Sequence, residues 1–369
     1  MFLTTTTCLC LSLAAAPPKA TAADRLAGEL AKVYAGAVKQ LNEEHARKPG
    51  KTLEPDLAKR FPRQAKAALE KLLALDASPA VADALLASGE AALDLDLLGD
   101  FERARKRLEE TSPDHARRLG TALSRPRFIL RGIGGLETPY LERFADVLDA
   151  VLAAYDEVFG FAEWSKVPGK KIRVRIHLEE KITRPPHFAP QHAFHSEIDF
   201  PVVDAKAFRS PTGDGKFLFY GLCHELGHVI AMWGDGRSRN NEEDEDLHAW
   251  AHYTGVTIVE HLSKSGAPEL FRDLKDVRWR SLEEERKRLQ ATEPSLEDHD
   301  GVLRLLIALH DKVGPRAIGA AINRLDREDR RLRVNRVRYY TFRALEEALV
   351  KTLAKPEEKR AAAAVIPGH

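Results

Sequence analysis

The chain has 369 residues, 44% of them hydrophobic and 31% charged, with 57 Lys and Arg against 56 Asp and Glu. That apolar content can build a core over two or three domain-sized units and excludes a largely disordered chain, while a net charge of +1 excludes nucleic-acid binding by bulk electrostatics. Three cysteines, two of them at positions 8 and 10, exclude a disulfide-stapled scaffold.

Residues 1–23 differ from the rest: they hold no acidic residue and one charge, Lys19. The stretch Phe2–Ala16 has the length of a signal-peptide apolar region and is too short to span a bilayer. Ala20-Thr21-Ala22 supplies the small-x-small pattern of a cleavage site, so an exported protein starting at Ala23 or Asp24 is expected, periplasmic or extracellular. Loss of Lys19 would leave 56 basic against 56 acidic residues and one thiol, Cys223. No later segment is apolar for long enough to span a membrane, so no integral membrane segment is expected in the mature chain.

From Asp24 to about Gly120 the apolar residues recur at helical spacing, as in Leu69, Leu72 and Leu73 or Ala80, Ala84 and Leu85. Pro55, Pro62, Pro79 and Pro113 are expected to divide this region into short helices. Phe144–Phe159 predicts an amphipathic helix capped by Gly160. Ile172, Val174, Ile176 and Leu178 alternate with polar residues and predict a strand; Ile198, Phe200 and Val202 predict a second. Pro201 favours an edge position for that second strand. Helices are then predicted over Phe217–Trp233, from about Asp246 to Leu262, and over Leu270–Gln290, Val302–Leu325 and Tyr339–Leu353. The class that follows is α+β, predominantly α. Its expected parts are a leader (1–23), a helical N-terminal region (24–124) and a small mixed α/β subdomain with an edge strand and a histidine-bearing helix (125–265). A helical C-terminal subdomain (266–354) and a frayed tail (355–369) complete it.

The chemistry sits at His224-Glu225-Leu226-Gly227-His228. Residues four apart share a helix face, so both imidazoles can reach one metal ion. Glu225 lies three before His228, placed to touch a water on that ion without ligating it. Zinc suits two imidazoles, a third protein ligand and a water whose proton the carboxylate takes. The third ligand must come from elsewhere in the chain. Ala231 and Gly234 stand where a metzincin needs Gly and His, which rejects that class. His248, 20 residues after His228, is the leading candidate; Glu245, one turn earlier, and His252, one turn later, are the alternatives.

With these residues in place the sequence resembles the gluzincins, the thermolysin-like and aminopeptidase-like zinc peptidases. Their third ligand is a Glu on a second helix at about this separation, in a run like E-G-x-A-x-Y. Laid on that run, His248 takes the Glu place, Ala249 the Gly, Ala251 the Ala and Tyr253 the aromatic. The resemblance covers roughly residues 140–350 and is specific at 224–253. It implies a zinc metallopeptidase that hydrolyses peptide bonds of a peptide or protein substrate, with His224, His228 and His248 as metal ligands and Glu225 as general base. Two departures stand out: His replaces the ligand Glu, and Asp298 occupies the place of the family's transition-state Tyr. His299, Tyr339 and Tyr340 are the possible replacements for that donor. A strand with the Gly-x-Met-Glu-Asn motif of aminopeptidases is absent from the sequence. The other reading from a different class is a secreted binding or scaffold protein with a structural or degenerate zinc site.

Lesser signals carry less chemistry. His177, His187, His192 and His195 lack ligand-like spacing and read as loop histidines. Cys223, about 100° round the helix from His224, reads as a buried structural thiol. The basic run Arg330–Arg338 reads as a solvated helix face or a contact for an anionic substrate, in a chain with no nucleic-acid partner.

Overall fold

The computed structural model describes residues 20–47, 55–94, 96–161, 171–179, 187–188, 197–202, 215–230, 245–265, 281–294, 298–328, 332–334, 337–339 and 342–365. Among them are thirteen helices and seven short strands, an α+β architecture in which helix predominates. Of the leader expected over residues 1–23, residues 1–19 lie outside the described set, and Ala22 and Ala23 open the first helix.

Five helices come first: α1 (Ala22–Arg47), α2 (Pro55–Leu73), α3 (Pro79–Asp94), α4 (Leu98–Thr111) and α5 (Pro113–Leu119). Pro55, Pro79 and Pro113 each open a helix, where the missing N–H has no intrahelical partner to lose. Pro62 departs from expectation and lies inside α2. There the face made by Phe61, Ala65, Ala68, Leu69 and Leu72 is buried, and its packing outweighs one lost backbone bond. Tyr34, Leu85, Phe101 and Leu119 are further members of this first core, which takes Ile129 from the sheet.

The sheet has five strands: β1 (Thr121–Ser124), β2 (Phe128–Ile133), β3 (Ile172–Leu178), β4 (His187–Phe188) and β5 (Glu197–Val202), in the order β1-β2-β3-β5-β4. β1 and β2 were not expected from the sequence. All but the last residue of β2 is buried, so no polar alternation betrays it. Helix α6 (Thr138–Phe159) makes the crossover between the parallel strands β2 and β3. It ends at Gly160, whose φ of 66° is left-handed and whose N–H donates to the Asp156 carbonyl at 2.9 Å. The edge position expected for β5 is corrected: β5 runs between β3 and β4. Pro201 is tolerated because β4 pairs only with Ile198 and Asp199, short of the proline.

One sheet face, with Phe128, Leu130, Val174, Ile176, Ile198 and Phe200, joins α6 in the second core; Phe144 meets Phe200 edge-on at 5.6 Å. The other face carries Arg131, Arg173, Arg175, His177 and Asp199. Arg131 donates to the Leu119 and Arg118 carbonyls and to Glu90, and Arg173 to the Leu93 carbonyl, fastening the first helices to the sheet.

The remaining described residues form α7 (Gly215–Ile230), α8 (Glu245–Lys264), α9 (Leu282–Arg288), α10 (His299–Val313), α11 (Pro315–Arg327), the antiparallel pair β6 (Leu332–Val334) and β7 (Val337–Tyr339), α12 (Phe342–Thr352) and α13 (Pro356–Ala363). The helix expected over Val302–Leu325 is two helices, parted at Gly314 with φ 80° and Pro315. Of the helix expected over Leu270–Gln290, residues 270–280 lie outside the described set and Leu282–Arg288 is α9. Trp233, the expected last residue of the helix observed as α7, also lies outside the described set. Tyr339 ends a strand instead of opening a helix; of the basic run expected on a helix face, Arg333 and Arg338 lie on the antiparallel pair β6–β7, while Arg330, Arg331 and Arg336 lie outside the described set. The expected tail contains α13, whose Ala362 is fully buried. No helix among the described residues is long and apolar enough to cross a membrane.

Candidate metal centre

Helices α7 and α8 cross at glycine. A methyl group on Gly227 would lie 2.2 Å from Thr254 Oγ1 and 2.9 Å from Ala251 Cα, so only glycine permits this approach. On the other side, Gly255 of α8 lies under His224, with its would-be Cβ 3.3 Å from the His224 Cα. Two aromatic donors fix the rotational setting of α7. Tyr155 of α6 donates to the Cys223 carbonyl at 2.6 Å, and Trp250 of α8 donates to the Gly227 carbonyl at 2.9 Å. Those carbonyls belong to the residues immediately before His224 and His228.

The result is a cluster of three imidazoles. Ligating atoms of His224, His228 and His248 all lie within 4.8 Å of one another, close enough to hold a metal ion. His224 Nε2 and His228 Nε2 are 3.2 Å apart. The His248 ring lies 5.7 Å from that of His224 and 5.0 Å from that of His228. His228 is buried, His224 half-buried and His248 exposed, so the cluster opens to solvent on the His248 side. Burial, reinforced by His248, His252 and His299, pushes the His224 pKa down to about 3; burial and His299 also lower that of His248. Both rings are thereby kept in the neutral form that ligates. Nothing among the described residues bonds the buried Nδ1 of His224, whose orientation comes from the Tyr220 ring at 5.8 Å and from Gly255.

Glu225 is buried on α7, between the two histidines of that helix. Of the alternatives for the third position, Glu245 is the first residue of α8 and its side chain lies outside the described set. His252 does not join the cluster; its Nε2 faces Glu285 Oε1 at 3.5 Å. Asp298 has a structural role, its carboxylate capping α10 by accepting from the Gly301 N–H at 2.7 Å. Tyr339 ends β7, and its side chain, like Tyr340, lies outside the described set. His177 is on a strand, not a loop, and pairs with Asp199 at 3.1 Å. His187 stands opposite Asp199 in register, with its side chain outside the description, as are His192 and His195. Cys223 is buried and burial pushes its thiol well up, away from metal or nucleophilic chemistry.

Sequence reasoning did not anticipate the ionic ring beside the cluster. Arg288 binds Glu285 at 2.7 Å and Asp300 at 2.7 and 3.0 Å; Asp300 in turn binds His299 Nδ1 at 2.9 Å. The rings of His299 and His252 are 5.5 Å apart, which closes the circle through Glu285. Burial raises the Glu285 pKa, but contact with His252 and Arg288 outweighs it and holds the carboxyl at about 2; Arg288 and His299 hold Asp300 at about 2. The one signal in the sequence was local: Ser281 and Glu284 form a capping box that starts α9.

No family model and no curated protein sequence matches the chain.

Proposed function

We propose that the chain is a zinc-dependent metallohydrolase, most simply a peptidase that hydrolyses peptide bonds. The observation that carries this is the convergence of His224, His228 and His248 from two helices. Two nitrogens bound to one tetrahedral zinc at 2.0–2.1 Å stand about 3.3 Å apart. The 3.2 Å between His224 Nε2 and His228 Nε2 suits that spacing, and the exposed His248 is the ring free to close the rest. The resemblance to gluzincin peptidases in the residue 224–253 region supports the same reading, with His248 in the place of their Glu.

Bound there, zinc would polarise a water and a substrate carbonyl. Glu225 takes a proton from the attacking water as its oxygen bonds to the carbonyl carbon. It then gives that proton to the leaving nitrogen as the C–N bond breaks. The chain's near neutrality accords with a polypeptide substrate, and the expected leader with action outside the cytoplasm.

Metal analysis of purified protein beside His248→Ala and Glu225→Gln tests the assignment, together with cleavage of a peptide library. The expected result is one zinc per chain in the wild type and in Glu225→Gln, and little in His248→Ala. Glu225→Gln should lose about 100- to 10,000-fold in turnover. A zinc-loaded wild type inert toward varied peptides would instead support the binding or scaffold reading. Absence of stoichiometric zinc would end the hydrolase reading and leave a scaffold with a degenerate site.

A further inference from the structure

A second group of side chains, far in sequence from the metal centre, has the makings of a nucleophilic site. Ser112, the single residue between α4 and α5, places its hydroxyl oxygen 2.7 Å from Nδ1 of His115 on α5. Nε2 of the same ring lies 3.0 Å from Asp83 Oδ1 on α3. A carboxylate only accepts, so the proton sits on Nε2 and Nδ1 keeps its lone pair. The Ser112 hydroxyl therefore donates to Nδ1, which leaves the lone pairs of its oxygen for an electrophile. A serine just before a helix normally accepts from an N–H two or three residues on, yet the Ser112 side chain makes no such bond and is given to the imidazole instead. The trio is also held from two distant elements. Gly89 of α3 lets Leu119 of α5 approach so closely that an added methyl would lie 2.8 Å from Leu119 Cδ2, and Val81, Leu85, Ala116 and Leu119 bury both helices in the first core. Ser112 is half-buried and His115 keeps 19% of its side chain exposed, enough for a small molecule to reach.

We propose that Ser112 is a nucleophile with His115 as its general base and Asp83 positioning the ring, and that this site hydrolyses small carboxylic esters independently of the metal. The Ser112 oxygen bonds to the ester carbonyl carbon while its proton passes to Nδ1. That proton then goes to the leaving oxygen as the C–O bond to the alcohol breaks, and an acyl group stays on Ser112. A water, giving its proton to Nδ1, attacks the acyl carbon; the bond to Ser112 breaks and the hydroxyl takes the proton back, which releases the carboxylic acid. Relative to serine proteases the two ring nitrogens trade places, without chemical loss, since either can be the base. An ester suits the site better than an amide, because an alcohol oxygen leaves far more readily than an amine nitrogen.

The test treats the purified full chain with a fluorophosphonate, which activated serines displace at phosphorus with loss of fluoride, and locates the adduct by peptide mass spectrometry. Expected is one adduct per chain, on Ser112. His115→Gln can still accept from the hydroxyl and donate to Asp83 but takes no proton. It should keep the wild-type melting temperature and label about 100-fold more slowly. Asp83→Asn can donate to Nε2 and hold the ring in the wrong tautomer; because Asp83 is exposed to solvent, the loss should be smaller, about 10-fold, with Asp83→Glu recovering most of it. Hydrolysis of a nitrophenyl acetate ester should fall in the same order. The exposed Asp83 pair decides the matter if the glutamine variant does not fold. No adduct on the wild type, an adduct on another residue, or wild-type labelling in both His115→Gln and Asp83→Asn would overturn the proposal. Labelling lost only in step with melting temperature would reduce the trio to a clip between α3 and α5. Because the adduct is located on Ser112, failure of the peptidase reading leaves this result standing, and its own failure leaves that reading untouched.

Discussion

At the scale of single residues, two charge arrangements carry different kinds of information. Asp199, buried on β5, accepts from Arg175 at 2.7 and 2.9 Å and faces His177 at 3.1 Å. Burial pushes its carboxyl up, yet those partners prevail and hold it at about 2, against 3.8 unperturbed. A folded pKa below the unfolded one means stability that is present above about pH 4 and lost as pH falls towards 2. The shift corresponds to about 2 kcal/mol. Asp199→Asn should therefore destabilise the protein by about 2 kcal/mol in urea unfolding at pH 7. The gap to wild type should narrow steadily between pH 4 and pH 2; a gap undiminished near pH 2.5 would rule out the carboxylate as its source. The pair His224 and His228 was readable from its spacing of four, whereas the third position stayed open among His248, Glu245 and His252 until folding brought His248 to the pair. The ring of His252, Glu285, Arg288, Asp300 and His299 was not readable. Its members come from three helices, and which acid meets which histidine is decided by packing that no local pattern records.

At the scale of elements, the crossing of α7 and α8 is where sequence, packing and chemistry meet. Gly227 sits between the two motif positions that matter, and its lack of a side chain lets Ala251 and Thr254 approach. Alanine is the better helix former by about 1 kcal/mol, which favours Gly227→Ala in an isolated helix. Here the added methyl would meet Thr254 Oγ1 at 2.2 Å and the Ala251 backbone at 2.9 Å, so the helices must separate, at a cost of about 1–3 kcal/mol. Gly227→Ala is expected to lower the melting temperature and weaken zinc binding, since His228 and His248 move apart together. Gly255→Ala, with its nearest contacts at 3.3 Å, should do less of both. Equal effects at the two positions would refute the crossing argument. Trp250→Phe isolates the carbonyl clamp: loss of the bond to the Gly227 carbonyl should cost about 1 kcal/mol and lower zinc affinity, read by titration with a competing chelator. Elements with strong periodicity, α6, α7, α8 and β3, were legible. β2 was not, because a strand buried on both faces loses its alternation, and neither was the break at Gly314, where apolar spacing continues across the turn.

At the scale of the whole molecule, two cores share one sheet: α1–α5 close on the first, and α6–α13 with the sheet's apolar face close on the second. Arg131 and Arg173 reach from strands to the carbonyl ends of helices in the first group, which ties the two without apolar continuity beyond β1 and β2. The described residues hold one cysteine and no disulfide, so no covalent cross-link among them stabilises either core. The three imidazoles belong to α7 and α8, whose remaining faces carry Leu222, Leu226, Val229, Trp250, Tyr253 and Val259 into the second core. A metal held by both helices is therefore linked to the unfolding of that core and only indirectly to the first. With zinc at a thousand times its dissociation constant, binding to the folded state alone contributes about 4 kcal/mol. For a unit of roughly 200 residues each kcal/mol moves the midpoint by about 2–4 °C, which gives a zinc-dependent rise of about 8–16 °C. Calorimetry with and without chelator should show that rise, concentrated in one transition if the cores melt separately, with His248→Ala removing most of it and Glu225→Gln almost none. A rise that survives His248→Ala would locate the stabilising metal elsewhere.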